Sequence, residues 1–290
     1  PNISILGQSA SGDGIALTVE GTTNVRPIQI SADEVIIRYV RIRVKSSRVD
    51  TGTDGIYIQN GNNIILDHSS VAFATDELIG INHLTANPTK NITIQYCMIT
   101  NAFGGSASKG ALSAKEIDGL TYYGNLFASN LLRNPYISPQ DQNPNYNLQY
   151  EVINNVMYNC KYYVECTRDD SVDDGNSTGI PQFNVINNYA KLSTGLPFAK
   201  QFERQMVLNY SDKPVEIYVK GNVHPDRLTV SDPVNWSEEW GTTQGGDGFN
   251  NRFTPAKASH QVFTPHNTPM IANSSTIIDA EVLWDTIKTH

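Results

Sequence analysis

A short apolar phrase recurs along the chain at a nearly constant interval. Each phrase is a β-type apolar run, a central residue that is most often small and polar, and a second apolar run, as in VIIRYVRI at 35–42 and VINNVM at 152–157. Aligning the phrases at their centres gives intervals of 30, 28, 28, 30, 33 and 34 residues. The aligned residues are Tyr39, Ser69, Cys97, Asn125, Asn155, Asn188 and Asn222. Self-similarity at such a period is typical of stacked supersecondary units.

The phrases predict strands rather than helical hairpins, because β-branched residues alternate in them with a period of two. Stacking one turn on the next would pile Val, Ile and Leu side chains into a continuous core, as in a parallel β-helix. Leucine-rich and helical repeats fit less well, since the chain has no leucine consensus and no 3.6-residue periodicity before its C-terminus. The predicted fold class is therefore all-β, a parallel β-helix.

The four asparagines of the aligned set are expected to have a structural role. Asn125, Asn155, Asn188 and Asn222 would occupy one corner of successive turns. An amide side chain tolerates left-handed backbone and can hydrogen-bond to its own image on the turns above and below.

Domain organisation is predicted from the point at which the repeat stops. Residues 1–223 should form the β-helix, and residues 224–290 a C-terminal extension that packs on it without being an independent domain. The extension is rich in Pro, Gly, Asn and Thr before a short terminal helix that begins near Asp279. Ile278, Val282 and Ile287 would share the apolar face of that helix and cover the solenoid.

Composition excludes some classes of protein. The net charge of −8 argues against a nucleic-acid binder, and no run approaches 18 apolar residues, so a membrane span is not expected. An acidic carbohydrate stays possible, because cations can be gathered locally. Cys97 is expected to be a buried small hydrophobe, whereas Cys160 and Cys166 could form one disulfide in an exported protein or remain free. The chain is expected to be a monomer.

Five polar stretches interrupt the repeat where a solenoid carries its functional loops. They are TDGIYI at 53–58, ILDHSS at 65–70, ATDELIGI at 74–81, SASKGAL at 106–112 and LLRNPYI at 131–137. Seven phrases, taken in chain order, resemble polysaccharide lyase family 1, the pectate lyases, over most of residues 3–160. They are ILGQSASGDGI, VIIRYVRIR, IILDHSS, TDELIGI, SKGALS, GNLFASNLLRNP and VINNVMYN. The resemblance implies a right-handed parallel β-helix that cleaves a uronate polysaccharide by calcium-assisted β-elimination. It also implies a secreted enzyme.

The resemblance implies particular site residues. Asp67 and Asp76 correspond to calcium ligands, with Glu77 as a further candidate ligand. Lys109 corresponds to a lysine that supplies positive charge at the substrate, and Arg133 to the arginine proposed as the base. Arg133 could instead only clamp a substrate carboxylate.

Two neighbouring residues are given a lesser role. His68 is a candidate for substrate binding, although a packed and hydrogen-bonded histidine fits its strand position better. Asp54 in the TDGIYI phrase is interpreted as a turn residue.

The chemistry favours such a set without the family name. Removing the proton α to a uronate carboxylate piles negative charge on a group that is already anionic, so cations must neutralise it. Calcium on hard carboxylate oxygens and a lysine ammonium would both do so.

The chain departs from the pectate lyase pattern at several positions. Gly80 stands where many of these enzymes have a second acid, and Ser138 where they have a second arginine. Tyr123 and Gly124 replace a common pair of histidines. These departures point to a uronate polymer other than ordinary polygalacturonate, to a calcium site that depends on substrate, or to lost activity.

Two other functions remain open from the sequence. One is a glycan-binding β-helix without catalysis, such as a phage tail fibre. The other is a glycoside hydrolase, which needs two carboxylates about 5 to 9.5 Å apart. Asp67 with Asp76, or Asp169 with Asp173, are its candidate pairs.

Overall fold

The chain coils through three parallel sheets and visits them in strict rotation. The computed structural model describes most residues up to 225 and part of the chain beyond. The described ranges are 2–21, 25–46, 52–82, 89–103, 108–115, 117–139, 148–168, 179–192, 207–208, 214–225, 262, 264–266 and 277–288.

Each turn of the coil contributes one strand to each sheet, and every pairing between turns is parallel. The first sheet contains β1 (Ile3–Leu6), β4 (Val35–Arg38), β7 (Asn62–Asp67), β10 (Thr89–Gln95), β13 (Ile117–Tyr123), β16 (Gln149–Ile153), β19 (Gln182–Ile186) and β22 (Glu216–Lys220). The second contains β2 (Ile15–Gly21), β5 (Val40–Ser46), β8 (Ser70–Ala72), β11 (Met98–Thr100), β14 (Leu126–Ala128), β17 (Val156–Tyr158) and β20 (Tyr189–Lys191). The third contains β3 (Ile28–Ile30), β6 (Ile56–Gln59), β9 (Glu77–Asn82), β12 (Lys109–Lys115), β15 (Tyr136–Pro139), β18 (Val164–Cys166) and β21 (Val207–Leu208). The parallel β-helix predicted from the repeat is confirmed.

The core is a set of side-chain stacks that run through the solenoid. In the first sheet one such stack joins Ile37, Leu66, Ile94, Tyr122 and Val152, all of them in register and almost fully buried. Alternate residues of each strand point inward, because successive side chains of a strand lie on opposite faces. Each turn of the solenoid therefore adds one layer of buried side chains to a core that continues through the stacked turns.

The predicted asparagine ladder lies at the corner between the first and second sheets. The side-chain oxygen of Asn155 accepts a hydrogen bond from the backbone N–H of Asn125, and those of Asn188 and Asn222 do the same one turn further each time, all at 2.9 Å. Ser69 continues the ladder by accepting from the N–H of Val40, so Val40 and not Tyr39 is its partner in register.

The left-handed backbone predicted for these asparagines lies one residue earlier. At this corner the residues with positive φ are Tyr39, His68, Tyr96, Gly124, Asn154, Asn187 and Gly221, each directly before a ladder position. Two adjacent residues therefore form each corner. The first adopts the left-handed backbone that turns the chain, and the second forms hydrogen bonds to the adjacent turn of the solenoid.

The C-terminal helix α1 (Ala280–Lys288) packs through a different face from the one predicted. Ala280 and Leu283 are buried, and the Trp284 ring stacks on the rings of Tyr158 and Tyr189, both at 5.6 Å. Ile278 and Val282 are exposed instead, because aromatic stacking on the second sheet orients the helix. Most of 226–276 lies outside the described residues, so the division at residue 223 stays a prediction.

The three cysteines are free and buried, so Cys160 and Cys166 do not form a disulfide. Burial raises the pKa of Cys97 and of Cys160 to about 12. In the part of the chain that is described, no helix has the length and apolar character needed to cross a membrane.

Candidate active site

Charged residues from four successive turns meet at one edge of the third sheet. Asp54 lies two residues before β6, Glu77 is the first residue of β9, Lys109 is the first residue of β12, and Arg133 lies three residues before β15. Parallel strands of one sheet begin at the same edge, so residues at strand starts become neighbours in space. Lys109 is directly in register with Glu77.

Three carboxylates form the centre of this site. Asp54, Asp76 and Glu77, named here the acidic cluster, each place one oxygen within 4.8 Å of the others. Asp54 and Glu77 are buried, with 3% and 5% of their surface exposed, whereas Asp76 is half-buried. Burial raises the pKa of the Asp54 carboxyl to about 6, although the hydrogen bond and charge of Arg26 act in the opposite direction.

Among the described residues, three cationic side chains contact the acidic cluster. The Lys109 ammonium forms an ion pair with Asp76 and lies 3.6 Å from Glu77 Oε1. The Arg133 guanidinium pairs with Glu77. Arg26 donates from Nε to Asp54 Oδ2 at 2.9 Å. The cationic side chains are 23% to 33% exposed, so Asp54 and Glu77 line the floor of the site, and Asp76 lies with the cations on its solvent side.

Arg133 is held by its backbone. It has a φ of 63°, its N–H donates to Glu165 Oε2 at 2.8 Å, and its carbonyl accepts from the N–H of Ala111. The next residue, Asn134, is buried and donates from its amide to the carbonyl of Tyr162 at 2.9 Å. The guanidinium is therefore the movable part of a rigidly anchored residue.

The structure places Asp67 and His68 elsewhere and does not bring them to Asp76. Asp67 ends β7 in the first sheet, and β8 of the second sheet separates it from Asp76, about 10 Å of extended chain. Its carboxylate accepts from Arg38 Nε and from Gln95 at 3.0 Å, and lies 2.7 Å from His68 Nδ1.

Burial acts to raise the pKa of Asp67, but hydrogen bonds from Gln95, His68 and Arg38 outweigh it and keep the pKa below its ordinary value. The His68 ring packs between Tyr39 and Tyr96, at 4.9 Å and 5.0 Å. Asp67 is thus the centre of a structural network, and His68 is the packed histidine that its strand position suggested. The hydrolase pair of Asp67 and Asp76 has the second sheet between its members, and Asp169 and Asp173 lie outside the described residues.

Asp54 is the site residue that the sequence interpretation missed. A signal was available, because the pair Thr53–Asp54 before β6 recurs as Thr75–Asp76 before β9. The two pairs open equivalent strands on adjacent turns, and the backbone N–H of Gly55 donates to the carbonyl of Glu77 at 3.0 Å.

Two departures from the pectate lyase pattern fall at defined places. Gly80 is adjacent to the acidic cluster: a Cβ built on it would lie 3.3 Å from the carboxylate of Asp54. An acid at this position would therefore add a fourth carboxylate to the cluster. Ser138 is buried on β15 and accepts a hydrogen bond from Thr167 at 3.0 Å.

The fold and the site define a class: a parallel β-helix with a cluster of carboxylates and cations on one sheet. Sequence comparison finds relatives in fungi. The chain is 34% identical over 157 residues to a probable pectate lyase C of Emericella nidulans. The aligned segment covers 54% of this chain and 32% of that protein. It is 33% identical over 190 residues to a probable pectate lyase C of Aspergillus flavus, covering 64% and 38%. Over these residues the chain is similar to proteins named probable pectate lyases.

The chain spans about a third of the length of the curated relatives it matches. No protein-family model matches it. Among solved structures, a pectate lyase from a Bacillus species in complex with trigalacturonate is similar with a TM-score of 0.39 and 16% identity, covering 97% of this chain and 94% of that one. A Geobacillus virus protein has a TM-score of 0.43 and 14% identity, covering 75% and 42%. At these scores the two likenesses carry no weight for function.

Proposed function

We propose that the chain is a polysaccharide lyase that cleaves a uronate-containing, pectate-like polysaccharide by β-elimination at the acidic cluster. The observation that carries the proposal is the meeting of Asp54, Asp76, Glu77, Lys109 and Arg133 from four turns at one edge of the third sheet. Sequence similarity to probable pectate lyases supports it. A secreted location follows as part of the proposal, because the polymers of this class lie outside cells.

The acidic cluster has the donor chemistry for calcium. Ca²⁺ prefers six to eight oxygen ligands and accepts carboxylates readily. Asp54, Asp76 and Glu77 would hold the ion, and water and substrate carboxylates would complete its ligands. Bound there, calcium would supply positive charge to a substrate carboxylate. It would also bind Glu77, so that Glu77 would no longer neutralise the charge of Arg133.

The remaining steps belong to protein side chains. A base takes the proton from C5 of the uronate, and the electron pair of the C–H bond becomes the C4–C5 double bond. The C4–O bond breaks with its electron pair remaining on the oxygen of the next sugar, which takes up a proton from water. Lys109 would stabilise the charge that develops on the carboxylate, because its ammonium lies at the edge of the cluster.

Arg133 is the candidate base. A guanidinium ordinarily holds its proton, and in the structure that of Arg133 is paired with Glu77. The base role therefore requires Glu77 to be engaged by another cation, such as the calcium ion, so that the guanidinium is free to face the substrate.

One assay separates the candidate functions. The chain is incubated with polygalacturonate, alginate and other uronate polymers, with and without a chelator, and the absorbance of unsaturated uronate is followed with reducing ends. A lyase produces the chromophore in a chelator-sensitive way, a hydrolase produces reducing ends alone, and a binding protein produces neither. Arg133→Ala should lose the chromophore while its thermal unfolding stays close to that of the parent chain; near-normal turnover by that variant would contradict the assignment of the base.

A further inference from the structure

Two arginine–tyrosine pairs lie on the third sheet, one on each side of the acidic cluster. The Arg26 guanidinium carbon lies 4.1 Å from the centre of the Tyr57 ring, and that of Arg133 lies 5.7 Å from the centre of the Tyr136 ring. The two tyrosines occupy the same position of the sheet, linked in register through one residue each of β9 and β12. β6 and β15 are three strand steps apart, or about 14 Å at about 4.8 Å a step.

Arg26 has donors to spare. Its Nε donates to Asp54, and its side chain is 33% exposed. Among the residues that the structure describes, its two terminal NH2 groups have no hydrogen-bond partner. A guanidinium presents five N–H donors in a planar fork that matches a carboxylate with two parallel hydrogen bonds. Arg26 can therefore pair with Asp54 and bind a second carboxylate from the groove at the same time.

Gly80 lies between Tyr57 and the acidic cluster. It is the neighbour of Tyr57 in register, and it presents no side chain. A Cβ at Gly80 would lie 3.0 Å from the Tyr57 ring and 3.3 Å from Asp54, so the ring and the carboxylate already occupy the space over this glycine. The glycine therefore lets Tyr57 and Asp54 pack close together, with the Arg26 guanidinium beside both of them.

We propose that Arg26, with Tyr57, forms a subsite that binds the carboxylate of a uronate unit remote from the cleaved bond. Arg26 is a specificity-determining residue in this arrangement, because it binds only substrates that are long enough to reach from the Arg133–Tyr136 pair to the Arg26–Tyr57 pair. The inference rests on the proposed function and adds to it a second anchor for an extended acidic polymer.

The test is the dependence of kcat/KM on substrate length. Arg26→Lys keeps a positive charge beside Asp54 but loses the fork. On long oligouronates we expect a loss of about tenfold, the value of a charge-assisted hydrogen bond. On substrates of two or three units, which do not reach Arg26, we expect little change. Arg38→Lys is the matched control, because Arg38 also donates from Nε to a buried aspartate, on another sheet; it should keep the length preference of the parent chain.

The outcomes separate this inference from the proposed function. An equal loss on short and long substrates would mean that Arg26 acts only by neutralising Asp54, and it would overturn the subsite alone. A raised calcium requirement in Arg26→Lys without a changed length preference would overturn it in the same way. Absence of uronate cleavage by the unmodified chain would overturn the proposed function and the subsite together.

Discussion

Asp76 is the carboxylate of the acidic cluster that is most open to solvent. It lies in the bend before β9 and pairs with Lys109, and its side chain is 28% exposed, against 5% for Asp54 and 7% for Glu77. An incoming cation and substrate would meet this carboxylate before the two buried ones. Substitution of Asp76 should therefore change calcium and substrate binding more than it changes the stability of the fold.

Calcium dependence distinguishes Asp76 from Asp67, two aspartates that the sequence treats alike. Asp76→Asn should raise the calcium concentration for half-maximal rate by about tenfold or more, because it removes a charged oxygen ligand. Asp67→Asn should leave that concentration unchanged. Calcium titrations of the lyase rate check both, and an effect of Asp67→Asn equal to that of Asp76→Asn would contradict the separation of the two residues.

The pH dependence of stability reports on Asp67. Its pKa is lowered in the folded chain, so the ionised form contributes stability above the ordinary pKa of about 3.8 and loses it as the pH falls through the folded value. Asp67→Asn should lower the free energy of unfolding by about 2 kcal/mol at pH 7, since it weakens hydrogen bonds to a charged group. Denaturant unfolding at pH 7 and near pH 3 should show this difference shrinking at acid pH; a constant difference would contradict it.

At the scale of elements, the corner between the first and second sheets is held by the asparagine ladder. Asn155 accepts from the backbone N–H and the amide of Asn125 and donates to the carbonyl of Tyr122, all at 2.9 Å, with none of its surface exposed. Removing this side chain leaves buried donors and an acceptor without partners, and each such group costs about 1–3 kcal/mol.

Asn155→Ala should therefore lower the free energy of unfolding by at least about 3 kcal/mol. Gln29→Ala is the control, because Gln29 forms an amide ladder with Gln59 on the exposed outer face. That change should stay within about 0.5 kcal/mol. Equal effects of the two substitutions, measured by denaturant unfolding, would show that the buried ladder adds nothing special.

Elements also explain how far the sequence interpretation reached. The apolar phrases around Asn155 and Asn188 predict the stack of strands, because period and alternation are written in consecutive residues. The sequence did not indicate that Asp67 and Asp76 would lie on different sheets, because the strand between them, β8, has only three residues. Asp54 was missed because it becomes a neighbour of Glu77 only when the next turn of the solenoid stacks on its own.

At the scale of the whole molecule, the solenoid brings residues that are far apart in the sequence together in one groove. Lys109 and Arg133 lie 33 and 57 residues after Asp76, by subtraction of residue numbers, yet both meet the acidic cluster. Along the third sheet the three carboxylates of the acidic cluster lie between Arg26 on one side and Lys109 and Arg133 on the other. With a calcium ion on the carboxylates, this order would suit a polymer that carries one carboxylate on each unit and lies along the axis of the coil.

A crystal of Arg133→Ala soaked with calcium and an oligouronate tests the central claim most directly. We predict calcium density between Asp54, Asp76 and Glu77, with a sugar carboxylate beside Lys109 and the site of residue 133. Density at Asp67 instead, or a bound oligosaccharide on another sheet, would contradict the account.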